Sequence, residues 1–211
     1  MKTRRALLVF TKVPEPGKVM TRLAQHIGDE KSAALQRQLI NSTLEQCSDS
    51  TWDTQLWCAP DIDHPYFHRL REKNNLTLHR QEGEDLGQRM YYALNEALEG
   101  YHQVALIGTD CPVLNRSHIA QVFSILDQGK TVVLTPAEDG GYVLIAARDN
   151  SPDLFENVSW GSQAVLSETR ERLRKLSWEW SETDALWDVD RAEDLKRYMA
   201  HKAARPGRIR D

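Results

Sequence analysis

The sequence predicts an α/β fold on a mostly parallel sheet, and three observations carry that prediction. Short, continuous apolar runs recur along the chain, the pattern of strands buried on both faces. Between them lie longer segments whose apolar residues repeat with helical period. The two kinds of segment alternate nearly throughout, which argues for a layered sheet with right-handed crossovers.

The first run, Ala6 to Thr11, reads as a central strand. Asp29 to about Cys47 reads as a helix with Ala33, Leu35, Leu39, Ile40 and Leu44 inward. Thr54–Ala59 reads as a strand, Pro65 to about Lys73 as a helix and Leu76–Arg80 as a third strand. Asp85–Leu98 has the clearest helical period, with Leu86, Met90, Ala93, Leu94, Ala97 and Leu98 on one face and Asp85 as N-cap. Val104–Gly108 is another buried strand, and Ser117–Leu126 an amphipathic helix with Ser117 as the expected cap. Thr131–Thr135 and Tyr142–Ala147 flank an Asp-Gly-Gly turn, which suits a hairpin. A helix over about Ser162 to Leu176, a short strand at Trp178–Trp180 and a last helix from Arg191 complete the pattern.

The chain has 211 residues, which suits one domain over 1–200 with a polar, frayed tail over 201–211. That tail carries Lys202, Arg205, Arg208 and Arg210, a solvated end or a phosphate contact. A net charge of −4 does not favour nucleic-acid binding. The longest apolar runs fall well short of a membrane span. Three scattered cysteines without CxxC spacing point to neither a disulfide framework nor a zinc site, and a cytoplasmic location is expected by default.

Four constellations carry candidate chemistry. The first is Lys12-Val-Pro-Glu-Pro-Gly-Lys-Val-Met-Thr-Arg-Leu23, directly after the first strand. Pro14 and Pro16 stiffen the loop, and Gly17 allows a ligand to approach the backbone. Lys18 offers a point charge and Arg22 a planar fork, the means by which α/β proteins hold phosphates at a strand end. Thr21 either caps the next helix or bonds a phosphate. The second is Ala105-Leu-Ile-Gly-Thr-Asp-Cys-Pro112, where Asp110 stands at a strand's carboxyl end. Active sites of open α/β sheets lie there, and a carboxylate there suits Mg²⁺ or Mn²⁺. Cys111 has no local histidine partner and reads as a packed residue.

The third constellation is Glu138-Asp-Gly-Gly-Tyr142. Asp139 is equally a hairpin-turn residue and a candidate base or sugar contact, with Gly140, Gly141 and Tyr142 shaping a substrate pocket. The fourth is Trp187-Asp-Val-Asp-Arg-Ala-Glu-Asp-Leu195. Asp190 and Glu193 have capping-box spacing, which explains Asp190 without chemistry. Asp188 is left for a metal role, on the same side as Asp190 if the segment is extended. Arg89, in Gln81-Glu-Gly-Glu-Asp-Leu-Gly-Gln-Arg-Met90, is either solvated or a second phosphate anchor, and Gly87 allows close packing or a ligand. Trp160, before Gly161-Ser162, is a core residue or the wall of an acceptor pocket.

Taken together, Lys-x-Pro-x-Pro-Gly-Lys-x-x-Thr-Arg-Leu, Gln-x-Gly-x-Asp-Leu-Gly-x-Arg-Met, Gly-Thr-Asp-Cys-Pro, Asp-Gly-Gly-Tyr and Asp-Val-Asp-x-x-Glu-Asp-Leu resemble a bacterial family. These are small glycosyltransferase-like proteins known as nucleotide-diphospho-sugar transferases, some linked by name to arsenosugar biosynthesis. The family is similar to phospholactate and molybdenum-cofactor guanylyltransferases, and the resemblance runs from about Leu7 to Leu195. It implies a GT-A fold, a Rossmann-like three-layer α/β/α sandwich. It implies a nucleotide loop at Pro14–Arg22, metal ligands Asp110 and Asp188, and a donor or acceptor pocket at Asp139–Tyr142. The related guanylyltransferases often have Asp-x-Asp-Thr-Pro-Glu-Asp-Leu, where this chain has Arg191-Ala192 in place of Thr-Pro. Many GT-A enzymes carry Asp-x-Asp at the metal strand, where this chain has Thr109-Asp110-Cys111.

The expected function is metal-dependent glycosyl transfer from a nucleotide-diphospho-sugar to a small-molecule acceptor. Asp110, Lys18 and Asp139 are the expected catalytic groups, with Asp190 as a further metal candidate. Nucleotidyl transfer with release of pyrophosphate is the alternative reaction. A non-catalytic nucleotide-binding protein on the same fold is the alternative from another class. Base, sugar, acceptor and oligomeric state are not legible.

Overall fold

The computed structural model describes residues 3–204. Its first strand, β1 (Arg5–Lys12), divides its side chains between two cores as strand geometry requires. Leu7 and Val9 face one core; Ala6, Leu8 and Phe10 face the other. The chain continues through α1 (Thr21–Ile27), α2 (Asp29–Cys47), β2 (Asp53–Ala59), α3 (Pro65–Asn74), β3 (Thr77–Arg80) and α4 (Leu86–Leu98). Then come β4 (Gln103–Ile107), α5 (Arg116–Asp127), β5 (Val132–Pro136), β6 (Tyr142–Ala147), α6 (Val165–Lys175), β7 (Trp180–Glu182) and α7 (Ala192–Ala204).

The strands form one sheet in the order β3-β2-β1-β4-β6-β5-β7. β6 runs antiparallel to β4 and β5, and every other pairing is parallel. Helices α2, α3 and α5 cover one face through Ile40, Leu44, Phe67, Ile119 and Phe123. Helices α4 and α6 cover the other through Met90, Leu94, Leu166 and Leu173. This is the expected three-layer α/β/α sandwich with a mostly parallel sheet. A third cluster joins Leu23 of α1 and Leu35 and Leu39 of α2 to Trp187, Val189 and Tyr198. It fastens the segment before α7 to the same end of the sheet as the β1 loop.

Several local expectations need correction. The cap of α5 is Asn115, not Ser117: its side chain accepts from the backbone N–H of Ser117 at 2.9 Å, and the His118 ring accepts from the Asn115 N–H. At the entry to α7 the Asp190–Glu193 capping box does not form. Asp194 instead accepts from the backbone N–H groups of Asp190 (3.1 Å) and Arg191 (2.7 Å), which leaves the Asp190 side chain for other partners. Helix α6 starts at Val165, after turns through residues 160–164, and β7 lies at Trp180–Glu182 rather than Trp178–Trp180. Of the tail, His201 to Ala204 continue α7, while Arg205, Arg208 and Arg210 lie outside the described residues.

Candidate active site

Strands β1 and β4 are parallel neighbours, so their carboxyl ends open on one edge of the sheet. A cavity of about 400 Å³ lies there, with Lys18, Thr21, Asp110, Tyr142 and Asp188 in its wall. Fold and position agree with the rule that open α/β sheets bind ligands outside the carboxyl ends of their strands.

Asp110 is held from both sides of the chain. Gly108 and buried Thr109 lead out of β4, and the Thr109 hydroxyl accepts a bond from the Gln36 amide at 2.8 Å. The Asp110 carbonyl accepts from the Val189 N–H at 2.9 Å, which ties β4 to the segment carrying Asp188. The Asp110 carboxylate has surface open to the cavity, yet protein closes around it. Burial raises its pKa, its own backbone N–H works against that, and the charges of Asp190 and Asp139 raise it further.

Asp188 owes its direction to its neighbours. Trp187 and Val189 are 8% and 2% exposed and pack into the third cluster, so the residue between them turns the other way, into the cavity. Burial pushes the Asp188 carboxyl up to about 7, helped by the charges of Asp110, Asp139 and Asp190. Among the described residues neither Asp110 nor Asp188 has a cationic ion-pair partner.

Lys12 and Lys18 from the segment after β1 line the same cavity, while Arg22 and Asp190 lie outside its lining. Lys18 leaves most of its side chain exposed and pairs with Glu15 at 2.6 Å. Arg22 donates to Asp190 at 2.8 Å and reaches the Gly161 carbonyl at 3.5 Å, a link between the β1 loop and two other segments. Thr21 is the first residue of α1 and supplies no cap; the N-cap is Met20, in the left-handed region at φ 47°. Pro14 is buried, with its carbonyl accepting from Arg37. Pro16 and Gly17 are exposed and lie outside the cavity wall.

The remaining candidates lie further out. The Arg89 guanidinium donates to the Gly83 carbonyl at 2.9 Å and holds the turn before α4. Asp139 is exposed, and its carboxylate accepts from the Gly141 N–H at 3.0 Å, the turn arrangement anticipated for the β5–β6 hairpin. Gly140 is there because a Cβ would strike the backbone of Gln163. Trp160 stands behind Tyr142, edge-on to it and stacked with Phe155. A Cβ on Gly87 would come within 2.8 Å of the Trp160 indole carbons, so the close packing expected at Gly87 is against Trp160. Cys111 is buried and its thiol is pushed up to about 12, which removes it as a nucleophile.

Sequence reasoning missed Gln36 and Gln81, both in the cavity wall. Gln36 was detectable as a polar residue on the apolar face of α2, among Leu35, Leu39 and Ile40. Gln81 heads the Gln-x-Gly-x-Asp-Leu-Gly-x-Arg-Met motif, but its role was not legible there, because its partners come from two other strands.

Among the described residues no group of three or more His, Cys, Asp or Glu side chains is placed to hold a metal. Mg²⁺ and Mn²⁺ do not need one: they commonly take one or two carboxylates and fill the other positions with water and substrate phosphate. Two hard, mutually repelling carboxylates in one cavity fit such an ion. In the described residues no helix is long and apolar enough to cross a membrane.

Residues 43–162 match the model of the family DUF2064, described as an uncharacterized protein conserved in bacteria. A crystal structure from Desulfovibrio desulfuricans G20, provisionally named a nucleotide-diphospho-sugar transferase, is 31% identical. It superposes with a TM-score of 0.86 over 99% of this chain and 90% of its own. At the level of fold alone the chain is similar to 4-diphosphocytidyl-2C-methyl-D-erythritol synthase from Anaerococcus prevotii (TM-score 0.63, 10% identity, 96% of this chain and 97% of that one). It is similar in the same sense to glucosyl-3-phosphoglycerate synthase from Mycobacterium tuberculosis, a structure with Mn²⁺, UDP and glucosyl-3-phosphoglycerate. There the TM-score is 0.55 and the identity 11%, over 96% of this chain and 77% of that one. No curated protein matches the chain.

Proposed function

This chain belongs to the DUF2064 family, and from that premise we propose a metal-dependent transferase that takes a nucleotide-diphospho-sugar as donor. The observation that carries the reading is the meeting of the Lys18 loop, Asp110 and Asp188 in one cavity at the carboxyl ends of parallel strands. The fold supports it, as does the provisional name of the 31% identical relative.

Lys18 and Arg22 bind the phosphates. Both are exposed and already engaged in ion pairs that water screens, so each exchanges a carboxylate for a phosphate at small cost. Asp110 and Asp188 would hold Mg²⁺ or Mn²⁺, which when bound neutralises charge building on the departing phosphate. Tyr142 shapes the wall between donor and acceptor, with Trp160 fixing it from behind.

A second reading is nucleotidyl transfer, favoured by one observation: Asp110 is followed by Cys111 rather than by a second carboxylate. The two reactions differ in the bond broken. The deciding experiment incubates the protein with nucleotide sugars and with nucleoside triphosphates, with Mg²⁺ or Mn²⁺ and a panel of small acceptors. Nucleoside diphosphate released from a nucleotide sugar is the expected result. Pyrophosphate released from a triphosphate would move the assignment to the second reading. Nucleotide binding without either product would leave a binding protein.

A further inference from the structure

Resting on the metal reading above, we propose that Gln36 is a positioning residue: it holds Thr109 so that the carboxylate of Asp110 is set for the ion. Gln36 belongs to α2, is 9% exposed and lies in the cavity wall. Its side-chain nitrogen donates to the buried Thr109 hydroxyl at 2.8 Å. A hydroxyl donates as readily as it accepts, so this bond survives either orientation of the amide.

The two ends of the bond differ in how they are held. On the α2 side, Leu35 and Leu39 pack into the third cluster, while Ile40 and Leu44 pack into the core on the sheet face. Gln36 is carried by a helix gripped from two directions. Thr109 lies past Ile107, where β4 and its register with β1 end. Asp110 follows it. The Asp110 carboxylate folds back over Gly108, where a Cβ would lie 2.8 Å from Oδ1. The Asp110 carbonyl accepts from the Val189 N–H at 2.9 Å. The turn from Gly108 to Asp110 therefore has a side-chain anchor in Gln36 and a backbone anchor in Val189. Without the first, Thr109 is free to rotate and carries the carboxylate with it.

For stability alone, two apolar side chains of the same shape would serve as well as this buried pair. A hydrogen bond adds direction, which apolar contact does not supply. Direction matters here because the next residue along the chain is the expected metal ligand.

The test measures Mn²⁺ affinity, from the electron paramagnetic resonance signal of the free ion, alongside melting temperature. Gln36→Leu and Thr109→Val each leave one buried polar group without its partner and should melt lower than wild type. The double variant removes both groups and should recover most of that loss. Mn²⁺ should bind roughly tenfold more weakly to both single variants and, despite the recovered stability, to the double variant as well. Thr109→Ser keeps the hydroxyl and should stay close to wild-type affinity. Affinity that is lost in the single variants and regained in the double one overturns the proposal, because the pair then only satisfies two buried polar groups. Wild-type affinity in the single variants overturns it too. If a Gln36 variant does not fold, or the double variant does not recover, Thr109→Ser against Thr109→Val decides, and equal affinity overturns the proposal. A wild-type protein that does not bind Mn²⁺ sinks the metal reading itself, and this inference with it.

Discussion

The two walls of the cavity are built on opposite terms. The cationic side is led by Lys18 and Arg22, exposed side chains that already have partners in Glu15 and Asp190. The acidic wall, Asp110 and Asp188, is pinned by backbone bonds and buried neighbours, and its charges have no counter-ion among the described residues. Charges that water screens cost little to hold and little to release. Carboxylates set against each other without a counter-ion repel until a cation arrives. The contrast teaches where the site stores its strain: the fold tolerates an unfavourable acidic wall, and the cationic wall is free to follow the ligand.

The hardest test of that contrast removes the acidic wall's centre. Asp110→Ala should lower turnover by roughly 10²–10³-fold or more, the scale seen when a group that stabilises transition-state charge is lost. Its circular dichroism should remain native. Wild-type turnover in a folded variant would end the metal assignment.

Asp188 sharpens the same point through stability. A carboxyl has an unfolded pKa near 4, and burial with its acidic neighbours pushes folded Asp188 up to about 7. The native state then holds its proton more tightly than the unfolded state does. The contribution of Asp188 to stability is accordingly highest at low pH, falls as pH rises from the unfolded value toward 7, and levels off above that. In metal-free buffer the wild-type melting temperature should drop between about pH 5 and pH 8. Asp188→Asn should show a shallower drop, match wild type only below about pH 4 and melt higher at pH 8, while losing activity. A variant that melts lower than wild type at pH 8 would contradict a repulsive acidic wall.

The same contrast governs what the sequence disclosed. Asp110 was legible because an apolar run stops at Gly-Thr-Asp-Cys-Pro, and strand ends are where sheets of this kind do chemistry. Asp188 was legible because alternation in Trp-Asp-Val sets the acid opposite two apolar residues. The sheet and most helices followed from periodicity. What depended on distant partners was not legible. Arg22 looked like a free cation and is held by Asp190, 168 residues away. Asp190 looked like a helix cap, but Asp194, one turn further on, takes the backbone N–H groups. Arg89 was open between a solvated residue and a phosphate anchor, and Trp160 between core and pocket wall; the first holds a turn and the second a packing layer. Gln81 stood in a quoted motif, but its role was hidden because its bonds go to β1 and β2.

On the cationic wall the effects should fall on binding and spare the fold. Lys18→Ala removes a charge-assisted contact to phosphate, so the nucleotide dissociation constant should rise roughly ten- to a hundredfold. The melting temperature should move by no more than about 2 °C, because the exposed pair with Glu15 carries little stability. An unchanged dissociation constant by calorimetry would take the β1 loop out of the site.

The smallest effect should have opposite signs on the two ends of one ion pair. Arg22 must leave Asp190 to grip a phosphate, so part of its binding energy is spent on breaking that pair. Arg22→Ala should weaken nucleotide binding only a few-fold, since the lost contact is offset by the pair that no longer has to break. Asp190→Asn frees the arginine beforehand and should tighten binding by roughly two- to fivefold, the range an exposed ion pair allows. If Asp190 instead joins Asp110 and Asp188 around the ion, Asp190→Asn will weaken Mg²⁺-dependent binding and leave metal-free binding as it was. Titrations of both variants with and without Mg²⁺ separate the two roles, because only competition for Arg22 predicts a gain in affinity from the loss of a carboxylate.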